Sequence, residues 1–211
     1  MCPASETLRS GPPDWDARYA AAEGGLFGEE PCEYLREAMA RSDVAPRSAL
    51  MLADGDGRNG TWVARQGVAV TAVDLSAEAT RRARARDAAE AVAAERIAAD
   101  LTRWEPGERR WEMATLVFLQ GPASLRKLAI ERARAALAPG GWLVVEGFAK
   151  AQATGAMGPD DPDKLWSLDE LADWTADLEP VEALAGRVRL DEGVRHQGPA
   201  AVIRLLARLP D

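Results

Sequence analysis

Ala49-Leu50-Met51-Leu52-Ala53-Asp54-Gly55-Asp56-Gly57-Arg58-Asn59-Gly60 decides how this chain is read. An apolar, strand-like run leads directly into three glycines spaced G-x-G-x-x-G, and residues 61–66 read as the helix that follows. Strand, glycine loop and helix in that order let a backbone approach a nucleotide-like ligand closely. The alternative is a plain soluble turn, but three glycines at this spacing ask for backbone freedom that such a turn does not need. Two carboxylates sharpen the reading. A dinucleotide site offers loop amides and a helix N-terminus to a pyrophosphate, which Asp54 and Asp56 would repel. Acids suit a ligand that presents positive charge to the loop, such as the ammonium and sulfonium of S-adenosylmethionine.

Outward from the loop, Val68-Ala69-Val70-Thr71-Ala72-Val73 is a second strand that ends at Asp74. An acid there, about 20 residues past the glycines, can accept hydrogen bonds from ribose hydroxyls; the other reading is a helix-start residue in a βα loop. Ser76 caps a helix over about 76–94, with Glu78 in its first turn. Arg96-Ile97-Ala98-Ala99 is a short third strand. Asp100 after it stands either near an adenine amino group or as a plain surface carboxylate, because short alanine-rich runs are poorly diagnostic.

The remaining elements alternate. Residues 1–13 read as a loose leader, residues 15–27 as an aromatic, partly helical arm, and a helix after Pro31 carries Tyr34, Leu35, Ala38 and Met39 on one face. Residues 111–119 form a fourth strand, almost continuously apolar from Met113, as expected when both sheet faces are covered. Leu125, Leu128, Ala129, Ala133, Ala136 and Leu137 trace a helix that Pro139-Gly140-Gly141 ends, before a fifth strand at Trp142-Leu143-Val144-Val145. Ser167-Leu168-Asp169-Glu170 has the pattern of a capping box and starts another helix. Residues 181–190 and 200–207 then read as a closing antiparallel pair. The expectation is an α/β fold: a doubly wound, mostly parallel seven-stranded sheet with a C-terminal antiparallel strand pair, occupying residues 14–211 as one domain.

The 211 residues are 47% hydrophobic and 28% charged, with net charge −8. The negative balance argues against a nucleic-acid backbone as partner. The cluster of Arg81, Arg82, Arg84 and Arg86 spreads around its helix and reads as a solvated face. Cys2 and Cys32 are too few and too scattered for a disulfide frame or metal cage. Without a signal-peptide layout or a membrane-length apolar run, the expected location is the cytoplasm.

From residue 15 onward the chain resembles the class I S-adenosylmethionine-dependent methyltransferases. Within them it is similar to the small tellurite-resistance and thiopurine methyltransferase-like group. The resemblance rests on the Trp-Asp-x-Arg-Tyr arm at 15–19, Phe27-Gly28-x-x-Pro31, the acidic glycine loop, and Val73-Asp74-Leu75-Ser76. Leu137-Ala138-Pro139-Gly140-Gly141 and Glu192-Gly193-x-x-His196-x-Gly198 complete it. It implies a Rossmann-like methyltransferase fold that binds S-adenosyl-L-methionine. By the same resemblance Asp54, Gly55 and Gly57 line the methionine side, Asp74 the ribose, and Asp100 and Leu101 the adenine. Arg18 pairs with the cofactor carboxylate, and Trp15 and Tyr19 cap the site. The implied cofactor set also takes in Asp56, Asn59, Leu75 and Leu119.

The chain departs from the group at Gln120, where relatives place a histidine after the fourth strand. An amide is no base near neutrality, which leaves Gln120 to orient a substrate or cover the methyl-transfer edge. His196 is the sole histidine. It is read as base or substrate anchor if its loop folds over the carboxyl edge of the sheet, and as a structural residue otherwise. The segment 150–166, with Gln152, Gly155, Gly158, Pro159 and Pro162, reads as a lid or as a surface excursion.

Methyl transfer demands positioning more than side-chain chemistry, because the sulfonium is an activated donor. The expected partner is a small-molecule methyl acceptor, with a thiol, selenium or tellurium species first and an oxygen or nitrogen acceptor as the alternative. A cofactor-binding protein without catalysis is the reading from another class. A nicotinamide dehydrogenase is disfavoured by the acidic loop. No metal, nucleic acid or membrane is expected, and the chain is expected as a monomer or homodimer.

Overall fold

The structure is a computed structural model and describes residues 14–152, 157–193 and 195–211. The expected leader over 1–13, Cys2 and Gly155 lie outside these residues. The strands are β1 (Ser48–Leu52), β2 (Ala69–Asp74), β3 (Ala94–Ala98), β4 (Trp111–Val117), β5 (Leu137–Phe148), β6 (Glu179–Gly193) and β7 (His196–Arg208). The helices are α1 (Trp15–Ala20), α2 (Glu33–Met39), α3 (Arg58–Arg65), α4 (Ala77–Ala89), α5 (Ala123–Ala136) and α6 (Leu168–Trp174).

The strands form one seven-stranded sheet in the order β3-β2-β1-β4-β5-β7-β6. β3 through β5 pair in parallel, and β7 runs antiparallel to both neighbours. The expected doubly wound sheet with a C-terminal antiparallel pair is therefore what the chain builds. Side-chain alternation sends β1 to two cores: Leu50 and Leu52 join the cluster with Ile130 and Ala133 of α5, while Ala49 and Met51 join Leu35 of α2 and Val63 of α3. All four β1 residues are 0–1% exposed, as a central strand covered on both faces requires. Strand order reverses between β1 and β4, and the crevice at the carboxyl ends of those strands is where open α/β sheets bind ligands.

Several boundaries differ from the sequence reading. α3 begins at Arg58, so Asn59 and Gly60 are helical rather than loop. α4 stops at Ala89, and β3 begins at Ala94. An uninterrupted alanine-rich run carries no periodicity that marks such a break. Pro139-Gly140-Gly141 does not end α5, because Leu137 already pairs with Trp111. The turn is instead an irregularity within β5, where the register shifts between Trp111 and Met113. The capping box does not form. Ser167 makes no side-chain cap, and Glu170 turns to Lys150 Nζ at 2.7 Å. The arginine cluster is less solvated than expected: Arg82 donates to the carbonyls of Ala22 and Gly24, and Arg86 pairs with Glu29. Both fasten the N-terminal arm to α4.

Candidate functional site

Two residues at the reversal point adopt left-handed backbone without being glycine. Ala53 follows β1 with φ 56°, and Phe118 follows β4 with φ 53°. Each costs about 1–2 kcal/mol, and such strain concentrates where a backbone must turn around a ligand. Both line a cavity of about 590 Å³ over the carboxyl edge of the sheet. The sequence-predicted residues Trp15, Arg18, Tyr19, Asp54, Gly55, Asp56, Asn59, Asp74, Leu75, Asp100, Leu101, Leu119, Gln120 and His196 all border it. Gly57 does not.

The glycine loop is built for different neighbours at each position. Gly55 has φ 60°, and a Cβ there would run into the Tyr19 hydroxyl, so the arm closes onto the loop only over a bare backbone. Gly57, with φ 84°, would meet Ala83 of α4 at 2.8 Å. Its requirement is helix packing, which corrects its placement along the methionine side.

The loop acids meet protein partners instead of standing free for a cationic ligand. The Asp54 carboxylate forms a buried ion pair with Arg96 and accepts from Gly60 N at 3.0 Å. Arg96 in turn donates to Asp87 Oδ1 at 2.8 Å and Thr61 Oγ1 at 3.0 Å. Burial pushes the Asp54 carboxyl up, while Arg96 pulls it back. Asp56 accepts from Leu26 N at 3.2 Å and is likewise pushed up by burial, against Arg86 and Arg58. These acids hold the loop and the arm; Asp54's charge is met inside the protein rather than left for a ligand.

Asp74 is the carboxylate without an arginine. Its oxygens accept from Gly55 N and Ser76 N, each at 2.8 Å, and burial raises it to about 6. Each oxygen keeps a lone pair for a hydroxyl donor. Leu75 beside it is 52% exposed although apolar, an open surface at the cavity rim. Asp100 caps its own turn by accepting from Thr102 N at 2.8 Å. Asn59 Oδ1 accepts from Cys32 N at 2.8 Å, tying α3 to α2. Arg18 is exposed and lies 4.9 Å over the Trp15 ring, with no ion pair among the described residues. The Leu119 carbonyl accepts from Trp166 Nε1 at 2.9 Å.

At the other end of the cavity, His196 opens β7 and is 3% exposed. Its ring sits 4.2 Å from Phe118, 5.2 Å from Phe27 and 5.5 Å from Phe148, measured between centroids. Burial among these rings lowers its pKa below the usual histidine value. Gln120 spans two elements: with its amide turned so that both ends are satisfied, the nitrogen donates to Lys164 O at 2.6 Å and the oxygen accepts from Phe148 N at 2.8 Å. With both ends used by backbone it is a strut, which argues against the catalytic placement given to it from sequence. Met157, Gly158, Pro159 and Lys164 bring the segment after β5 to the cavity wall. Gln152 anchors that segment by accepting from Ala201 N at 2.6 Å.

Sequence reasoning missed Phe118, Phe148, Lys164 and Arg195 as lining residues, and Arg96 as the loop's counter-ion. An arginine inside a short strand was the available signal for the last. Cys32, read from the sequence as too scattered from Cys2 for a disulfide frame or metal cage, has acidic neighbours in the fold. Cys32, Glu146 and Glu192 offer ligand atoms within 4.8 Å of one another. The carboxylates are already paired, Glu146 with Arg204 at 2.7 Å and Glu192 with Arg58 at 2.9 Å, and the Cys32 thiol donates to Glu146 at 2.7 Å. The donor set is thus satisfied by protein cations.

Residues 49–141 match the profile of a family described as "Methyltransferase domain". Together with the fold, this match marks residues 49–141 as similar to a methyltransferase domain, set in a Rossmann-like methyltransferase fold. Among solved structures it is similar to the N-methyltransferase NodS from Bradyrhizobium japonicum WM9 in complex with S-adenosyl-L-homocysteine. That likeness has TM-score 0.72 at 16% identity and covers 93% of this chain and 97% of that one. TehB from Haemophilus influenzae gives TM-score 0.67 at 15% identity over 83% of this chain and 61% of TehB. A protein described under conversion of a disulfide bond into a thioacetal group during echinomycin biosynthesis gives 0.67 at 20% identity, over 86% and 82%. At these identities the likeness establishes the fold. No curated protein matches significantly. Among the described residues no helix is long and apolar enough to cross a membrane.

The cavity fits S-adenosylmethionine by its own residues. The Asp74 carboxylate has acceptor capacity for ribose hydroxyls, Leu75 offers exposed apolar surface for a base, and the bare backbone of Gly55 allows close approach.

Proposed function

We propose that residues 14–211 act as one methyltransferase domain. In this reading the cavity binds S-adenosylmethionine along Asp74, Leu75, Asp100 and Leu101, with Trp15, Arg18 and Tyr19 closing over it. The acceptor is a small molecule, with a soft nucleophile such as a thiol, selenium or tellurium species first. When bound, the cofactor supplies an activated methyl group. The observation that carries the acceptor reading is the wall of Phe27, Phe118 and Phe148 around a single imidazole. A low-polarity wall excludes water and suits a polarisable nucleophile that needs little activation. His196 takes the proton from an acceptor that carries one.

A second reading, an oxygen or nitrogen acceptor, draws on the same imidazole, since those nucleophiles need a base. NodS, similar in fold, is described as an N-methyltransferase. Incubation with S-adenosylmethionine and a panel of thiols, selenite, tellurite, phenols and amines, read as S-adenosylhomocysteine formed, separates the two. S-Adenosylhomocysteine is expected to bind in the micromolar range and NAD not detectably. Tight NAD binding without S-adenosylhomocysteine binding overturns the proposal. His196→Ala is expected to cut turnover at least about tenfold, with cofactor affinity within about twofold. An unchanged rate reduces His196 to a structural residue.

A further inference from the structure

His196 carries a question that its place in the cavity does not answer: which ring nitrogen holds the proton. A neutral imidazole has one N–H and one lone pair, and only a lone pair facing the cavity can accept a proton there. Burial among three phenylalanine rings favours the neutral form and fixes the ring plane. Of its two nitrogens, Nδ1 alone is both sealed from solvent and without a hydrogen-bond partner among the described residues. The polar atom facing Nδ1 is Glu192 Oε2, at 3.6 Å.

Glu192 is buried and held from two sides. It is 3% exposed at the end of β6, its Oε1 accepts from Glu33 N at 3.0 Å, and its Oε2 accepts from Arg58 Nη2 at 2.9 Å. Arg58 is itself pinned to the Glu30 carbonyl at 2.7 Å. Burial pushes the Glu192 carboxyl up, but the His196 ring, Arg58 and the Glu33 amide together hold it below the usual range.

We infer that Glu192 is a positioning residue for His196: its fixed carboxylate selects the tautomer protonated on Nδ1 and leaves the Nε2 lone pair to the cavity. The opposite tautomer would aim the Nδ1 lone pair at an anion and leave a buried acceptor unpaired, which costs free energy that the Nδ1–H form avoids. When an acceptor gives up its proton, the proton goes to Nε2, and the resulting imidazolium faces the Glu192 carboxylate. Arg58 opposes that charge. Glu146, Arg204 and the Cys32 thiol behind Glu192 are already paired with one another, and Lys164 and Arg195 line the same cavity. Arg58 opens the helix that follows the glycine loop, so the residue orienting the imidazole is tied to the cofactor side of the site. The effect on rate rests on the methyl-transfer reading; the tautomer does not.

Because His196 is the only histidine, the ring nitrogens of protein labelled with nitrogen-15 histidine report on one residue. The wild-type protein at neutral pH is expected to show the Nδ1–H tautomer. Glu192→Gln, whose amide can donate to Nδ1, is expected to shift the ring towards the Nε2–H form and to lower kcat at least tenfold. Affinity for S-adenosylhomocysteine is expected to stay within about twofold. The acid limb of its residual rate is expected at lower pH, because the anion supporting the imidazolium is gone. Glu192→Asp, which keeps the charge, is expected to retain the Nδ1–H tautomer and recover part of the rate. A wild-type spectrum in the Nε2–H form overturns the inference even if no variant folds, and so does an unaltered tautomer in Glu192→Gln. Loss of S-adenosylhomocysteine binding by the wild type would instead overturn the methyl-transfer reading, and the spectrum would still decide the tautomer.

Discussion

Arg96→Met tests the counter-ion that organises the glycine loop. Arg96 is 7% exposed and serves two buried acids, Asp54 and Asp87, together with the Thr61 hydroxyl. Methionine keeps much of the apolar stem but leaves both carboxylates inside the protein without a cation. Removing one partner of a buried pair costs about 3–5 kcal/mol. For a chain of this size each kcal/mol is roughly 2–4 °C in Tm, so a loss on the order of 10 °C is expected in thermal unfolding. The pH dependence gives the mechanism. Burial already pushes the Asp54 carboxyl up, and without Arg96 it rises further, so the folded variant binds extra protons as pH falls. The stability deficit is therefore expected to shrink from pH 7 to pH 5. Arg96→Lys is expected to fall between, since one ammonium cannot span Asp54, Asp87 and Thr61 together. A Tm within about 2 °C of wild type, a value below any loss worked from those pairs, would refute the argument. So would a deficit that grows on acidification.

Cofactor affinity is expected to fall as pH drops through about 6, where Asp74 takes up its proton, by about tenfold between pH 7 and pH 5 if only the carboxylate form binds. Calorimetry with S-adenosylhomocysteine checks this, and a flat profile counts against Asp74 as the ribose acceptor. For the ligand-free protein the sign is opposite: the raised Asp74 pKa contributes stability that is full below about 3.8 and lost as pH rises through about 6. Gly55→Ala is expected to lower stability by about 1–2 kcal/mol for the left-handed backbone alone and to displace the Tyr19 hydroxyl, measured by denaturant unfolding and cofactor titration. Leu75→Ser is expected to leave stability within about 0.5 kcal/mol, as exposed positions do, yet weaken S-adenosylhomocysteine by about 1 kcal/mol through lost apolar contact; equal binding would move the base elsewhere.

The alternation of strands and helices is legible in the chain, because apolar period and glycine punctuation are local properties. Leu50 and Leu52 against Ala49 and Met51 already encode a strand with two covered faces, and the expected site residues other than Gly57 gather at one cavity because carboxyl-end loops of parallel strands must share an edge. What each side chain does there was decided by tertiary structure. Asp54 looked available to a ligand until the fold brought Arg96, 42 positions away, against it. Gly57 looked like a ligand-facing glycine, but α4 packs over it. Gln120 looked like a substitute for a catalytic group, and two backbone partners make it a strut. Cys32, Glu146 and Glu192 lie far apart in the chain, yet they meet beneath the lone histidine. A carboxylate's charge and a histidine's proton depend on what stands within a few ångströms, and only the folded chain decides those neighbours.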